Sequence, residues 1–142
     1  MVGPDPDPVC QHRIGRYRIA IQTRATNLIS AWIDGKGRRW TLRTAARYAD
    51  VWNMPGPGES TAEFEDLCRV LDRHCADAGR DPAEIRRSIQ LAVTDDHDEL
   101  LATVETYARA GVTDFVLILR GADPVAQADR SAELLPRLRS VA

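Results

Sequence analysis

With 142 residues, 44% hydrophobic and 28% charged, the chain has the length and balance of a single soluble globular domain with its own core. No apolar stretch approaches the length of a membrane span, and three cysteines without a CxxC pair indicate neither a disulfide framework nor a zinc site. The net charge of −2 is unevenly spread: between Cys10 and Tyr48 nine basic residues stand against one acid, Asp34, which gives that stretch +8 and leaves −10 for the rest. A basic third of this kind suits a phosphate or nucleic-acid partner, attraction between the two parts of the chain, or plain solvation. No aromatic platform, zinc finger or helix-turn-helix signature accompanies the charge, which argues against nucleic acid.

In chain order, Met1 to Pro8 reads as an irregular proline-aspartate tail. It carries acid and proline rather than a basic, then apolar, leader, so no signal peptide is expected and the cytoplasm is the default. Residues 1–28 are expected to be largely irregular, although Tyr17 to Ile21 alternates as a strand does, and residues 29–142 to form the domain. Ala31-Trp32-Ile33 is a short apolar strand. A helix follows with Leu42, Ala45, Ala46 and Ala49 on one face. Ala49 to Met54 reads as the next strand, and Pro55 to Gly58 as a loop. Ser60 with Glu63 forms a capping box for a helix whose stripe is Phe64, Leu67, Cys68, Leu71, Cys75 and Ala78. Cys68 and Cys75 lie on that stripe as small core residues, with His74 off it.

Gly79 suits the end of that helix, and Asp81-Pro82 starts a further helical turn. Ser88 to Val93 alternates as a strand. Asp95 or Asp96 caps a helix with Leu100, Leu101, Val104, Tyr107 and Ala108 on its buried face, closed by Gly111. Asp114 to Leu119 is a near-continuous apolar run, as in a parallel strand covered on both sides. Asp123-Pro124 opens a last helix to about Arg139, with Val125, Ala128, Ala132, Leu135 and Leu138 as the expected inner stripe. Strict alternation of strand and helix from Ile29 onward means an α/β fold with parallel strands. Four such units make a small open sheet or one half of an eight-unit barrel, and either places chemistry at the carboxyl ends of the strands.

The first of those ends is Asp34-Gly35-Lys36-Gly37. Two glycines one residue apart permit a sharp turn into a helix N-terminus, where N–H groups, the helix dipole, Lys36, Arg38 and Arg39 favour an anion, best a phosphate. The same residues also suit a plain, solvated strand-to-helix turn. Trp40 stands where a dinucleotide fingerprint has its third glycine, and the turn is not a Walker loop.

Trp32-Ile33-Asp34-Gly35-Lys36-Gly37, then Thr41-Leu42-Arg43-Thr44-Ala45-Ala46-Arg47-Tyr48-Ala49-Asp50 and Trp52-Asn53, resembles the luciferase-like flavin-dependent monooxygenases, and most closely the branch that uses deazaflavin coenzyme F-420. Leu71 to Ile85 and Tyr107 to Val112 continue the likeness, which covers Ile29 to the end. The resemblance implies a (β/α)8 TIM barrel about twice this length, of which this chain is the C-terminal half. It implies an oxidoreductase, FMN or F-420 as cofactor, and a small-molecule substrate. Gly35, Lys36, Gly37 and Arg38 would hold the cofactor phosphate. In the family a glycine stands in place of Asp34. That carboxylate would repel a phosphate unless it turns away or pairs with Arg38 or Arg39.

The resemblance also implies that most groups acting on ring and substrate come from the N-terminal half, so a non-catalytic phosphate-binding or assembly module is the alternative. No catalytic residue stands out. Asp95, Asp96 and His97 are candidates by position but suit helix capping, and Trp32, Trp40 and Trp52 suit either ring stacking or the core. The strand with Trp32 and the strand Phe115–Leu119 are expected to be open edges, which favours a homodimer.

Overall fold

The computed structural model describes residues 11–14, 17–20, 22–23, 29–58, 60–120 and 122–140, with side chains from residue 30 onward. The tail Met1 to Pro8 lies outside them. The first elements are short antiparallel pairs: β1 (Gln11–Ile14) with β2 (Tyr17–Ala20), and β3 (Gln22–Thr23) with β4 (Ile29–Ser30). The alternation from Tyr17 is thus a strand, and β2 runs beside β5 without joining its sheet.

The remainder alternates without exception: β5 (Trp32–Asp34), α1 (Thr41–Tyr48), β6 (Val51–Met54), α2 (Ala62–Ala78), β7 (Arg86–Ala92), α3 (His97–Arg109), β8 (Asp114–Ile118) and α4 (Pro124–Arg139). The four strands are parallel and ordered β5-β6-β7-β8, as in the chain. Leu42, Phe64, Val104 and Leu134, one from each helix, share a single apolar cluster with Trp52 and Ile89 of the sheet. All four helices therefore cover one face. A doubly wound sheet reverses its strand order and carries helices on both faces; this one does neither and is wound as a (β/α) barrel is.

Local chemistry explains most element ends. Leu42, Ala45, Ala46 and Ala49 are fully buried, as their spacing predicts. Asp50 sits in the turn before β6. Its carboxylate takes the Ala31 N–H (2.6 Å), and the Ala31 carbonyl takes the N–H groups of Asp50 and Val51 (2.9 and 3.1 Å). Gly79 closes α2 in a left-handed conformation. Asp81, Asp96 and Asp123 each accept backbone N–H bonds at the turns they were expected to cap. Trp52 stacks on Phe64 (5.9 Å), and Phe64 meets Tyr107 edge-on (5.9 Å), which joins β6, α2 and α3 by contacts worth about 0.5–1.5 kcal/mol each.

Three expectations need correction. The capping box of Ser60 and Glu63 does not form. The cap position is Thr61, whose hydroxyl donates to Glu65 (2.7 Å), while Glu63 is drawn to the Lys36 ammonium. β8 is half-buried along its length rather than covered on both sides, because it is the last strand of the sheet. The buried positions of α4 are Gln127, Ser131 and Leu134, whereas Val125 and Leu135 are exposed. Gln127 Nε2 donates to the Val93 carbonyl (3.1 Å) and Ser131 Oγ to the Gln127 carbonyl (2.7 Å), so the polar side is satisfied inside.

Candidate functional site

The glycine turn is held from the neighbouring strand. Gly35 has φ +133°, a region L side chains rarely adopt. Its N–H donates to the Asn53 carbonyl (3.0 Å), and its carbonyl accepts from Trp52 Nε1 (2.9 Å). Trp52 and Asn53 are adjacent on β6, so this dipeptide holds the peptide groups on either side of the Gly35 Cα. The sequence alone placed Trp52 in the core or on a ring. It is fully buried, and its indole N–H has this second task. Beyond the turn, the Leu42 N–H closes on the Gly37 carbonyl (3.0 Å). A Cβ on Gly37 would lie 2.6 Å from Thr41 Oγ1, so glycine is favoured by packing at Gly37 and by conformation at Gly35.

The basic residues of the turn meet acids of α2. Lys36 Nζ pairs with Glu63 (2.9 Å), and Arg38 pairs with Asp66, which also accepts from Arg69 (3.3 Å). The hydrogen bond from Arg38, more than its charge, holds the Asp66 carboxyl below its ordinary range. His74 Nε2 donates to the Arg38 carbonyl (2.8 Å). Of the three readings of the charge imbalance, attraction between the basic and acidic parts therefore describes Lys36 and Arg38. These pairs are largely solvent-exposed and screened by water, so they hold the two cations only weakly. The first turn of α1 has no acid and no side-chain cap. No side-chain acceptor or acid therefore balances the positive end of that helix dipole.

Asp34 pairs with neither Arg38 nor Arg39. Its Oδ1 accepts from Asn53 Nδ2 (2.8 Å), and Asn53 Oδ1 accepts from Ser88 Oγ (2.8 Å). The three residues are in register across β5, β6 and β7. Side chains alternate along a strand, so with Trp52 on the helix side this row faces away from the helices. Lower on that face Arg86 lies 6.0 Å from the Trp32 ring and pairs with Asp114 (2.7 Å).

The other candidates sit elsewhere. Asp96 caps α3, and Asp95, Asp96, His97 and Asp98 line a groove with Arg137, which pairs with Asp98 (3.0 Å). They follow β7, two strands from β5, and among the described residues no hydrogen bond or ion pair joins them to the turn. Trp40 is 67% exposed beneath Arg39 (5.1 Å), and Trp32 is half-buried, so of the three tryptophans only Trp52 belongs to the core. Burial pushes the Cys68 thiol up to about 11 and raises that of Cys75, the opposite of an activated nucleophile. No helix among the described residues is long and apolar enough to cross a membrane.

No protein-family model matches the chain, and no curated protein matches its sequence. The fold is shared with an F-420-dependent dehydrogenase. That solved structure, an F-420-dependent secondary alcohol dehydrogenase in complex with an F-420–acetone adduct, aligns over 94% of this chain with a TM-score of 0.64 and 13% identity. The match occupies 57% of the dehydrogenase, so this chain spans little more than half its length. A more distant match is the coenzyme F-420-dependent tetrahydromethanopterin reductase of Methanopyrus kandleri. It has a TM-score of 0.38 and 16% identity, over 75% of this chain and 31% of the reductase. At such identities the likeness concerns the fold, and the parallel βα winding is what the chain and the dehydrogenase have in common.

Proposed function

We propose that this chain is the cofactor-binding part of a deazaflavin-dependent oxidoreductase, with the phosphate of coenzyme F-420 held at Gly35, Lys36, Gly37 and Arg38. One observation carries the reading: a glycine turn pinned by Trp52 and Asn53 leads from the carboxyl end of β5 into an uncapped helix flanked by exchangeable cations. The shared fold supports F-420 in preference to FMN. A bound deazaflavin supplies hydride transfer, and the protein supplies position and electrostatics. Lys36 and Arg38 would exchange Glu63 and Asp66 for phosphate oxygens, and Thr41 would sit against the turn as its packing partner.

Fluorescence titration of the purified chain with F-420, and in parallel with FMN, tests this. Saturable binding of F-420 is expected, weakened about tenfold in Lys36→Met through loss of a charged hydrogen bond. Absence of saturable binding by either cofactor overturns the proposal, and binding of FMN alone moves it to a flavin. Commitment of Asp96 to capping α3 and of Asp34 to Asn53 favours, as a second reading, a phosphate-binding module without catalysis of its own. It predicts binding with no alcohol-dependent reduction of the bound cofactor.

A further inference from the structure

The sheet stops at β8, and both that strand and the helix after it are unfinished on the outer side. The Ile118 carbonyl accepts from the Val93 N–H (3.0 Å), so it points inward to β7. Backbone groups alternate in direction along a strand, so the N–H and C=O of Phe115, Leu117 and Leu119 point outward. Among the described residues no strand meets them. α4 ends the helical layer as β8 ends the sheet. From one flank of α4, Arg137 reaches Asp98 of α3 (3.0 Å). Val125, Ala128, Ala132 and Leu135 share the opposite flank at helical spacing, and all four are exposed. An open strand edge and an exposed apolar helix flank therefore lie on the same side of the molecule.

We infer that this side docks a second copy of the chain, with the two β8 strands paired antiparallel about Leu117. Both elements are self-complementary about one two-fold axis. Placing Leu117 opposite Leu117 sets Phe115 opposite Leu119 and Val116 opposite Ile118. It also sets Asp114 opposite Arg120 of the second copy, at both ends of the pairing. Arg120 is exposed and holds no ion pair among the described residues. Asp114 accepts from Arg86 (2.7 Å), and a carboxylate has acceptor sites for a further cation. A register with Val116 opposite Val116 would leave Asp114 facing Ile118, so charge selects the first register. The outward groups of Phe115, Leu117 and Leu119 then face one another, as antiparallel hydrogen bonds require. The same axis lays α4 antiparallel to its copy, with Val125 against Leu135 and Ala128 against Ala132. Alanines at the centre let the two helices approach closely. Antiparallel pairing points the carboxyl ends of the two sheets in opposite directions, so each copy keeps its own glycine turn. The inference is independent of the cofactor reading.

Sedimentation equilibrium of the full chain at micromolar concentration, followed by cysteine cross-linking, tests the inference. The parent is expected to be a dimer. Arg120→Asp should raise its dissociation constant about tenfold, because each dimer then carries like charges at both ends of the pairing. Adding Asp114→Arg to Arg120→Asp should restore most of the loss, which a merely destabilised fold would not do. Val116→Cys mixed with Ile118→Cys should give, on mild oxidation, a disulfide-linked dimer of one of each. These residues form a pair without backbone hydrogen bonds, about 4.5 Å apart at Cα, within disulfide reach. Neither variant alone should cross-link beyond the parent, whose Cys68 and Cys75 lie on α2. A monomeric parent, a dimer unmoved by Arg120→Asp, or a mixture that fails to cross-link overturns the inference. So does cross-linking of Val116→Cys alone, which belongs to the other register.

Discussion

At the scale of single residues, Gly37 and Thr41 form the tightest test of the turn. Gly37→Ala places a Cβ against Thr41 Oγ1 and should cost about 1–3 kcal/mol, as small-to-large changes in packed sites do. Thr41→Ala removes the obstacle, so the double variant should recover most of the loss. Urea melts of the four proteins check this, and additive effects would contradict the packing. The Cys68 thiol gives a pH signature. Its ordinary value of 9.0 is raised to about 11 by burial, so from 9 to 11 the folded chain keeps a proton that the unfolded chain releases. Stability from this group is complete below pH 9 and is lost as pH rises through 11. Melts from pH 8 to 11 should show a steeper fall in the parent than in Cys68→Ser. The need for glycine at the turn was legible because glycine has a backbone signature. The clamp by Trp52 was not, because hydropathy reads the indole ring and not its N–H.

At the scale of elements, α4 separates pattern from packing. Its apolar residues Val125, Ala128, Ala132 and Leu135 have helical spacing, yet the helix is turned to bury Gln127, Ser131 and Leu134. The Val93 carbonyl at the end of β7 needs a donor, and Gln127 supplies it. Once such a bond is satisfied, a polar side chain is as acceptable inside as an apolar one. Leu134→Ala should therefore cost about 2–4 kcal/mol and Leu135→Ala under about 1 kcal/mol in denaturant melts. The reverse order would restore the stripe expected from the sequence. The other helices keep their expected stripes apart from Ala78, which is exposed at the end of α2, and the one polar group on the α3 stripe, the Tyr107 hydroxyl, donates to the Ser60 carbonyl without turning the helix.

At the scale of the whole molecule, the sheet ends at β5 and β8. β2 runs beside β5, whereas β8 has no further strand among the described residues. Beside it, α4 exposes Val125 (70%) and Leu135 (37%). Open edges with apolar neighbours invite association, and a two-fold assembly is the usual outcome. A homodimer is expected in sedimentation equilibrium at micromolar concentration, shifted to monomer by Val125→Lys with Leu135→Lys. A stable parental monomer with a cooperative melt would contradict this.

By itself the sequence determined the order of elements, the parallel βα alternation, the aspartate caps and the glycine turn. Each of these is set by neighbours within a few residues, through periodicity, capping or backbone conformation. Only the tertiary structure decided that all helices share one face, since that depends on how successive crossovers stack. It also decided the rotation of α4, the attachment of Lys36 and Arg38 to α2, and the row from Asp34 through Asn53 to Ser88. Those contacts join residues up to 35 positions apart, and no local pattern encodes the partner of a polar group that distant.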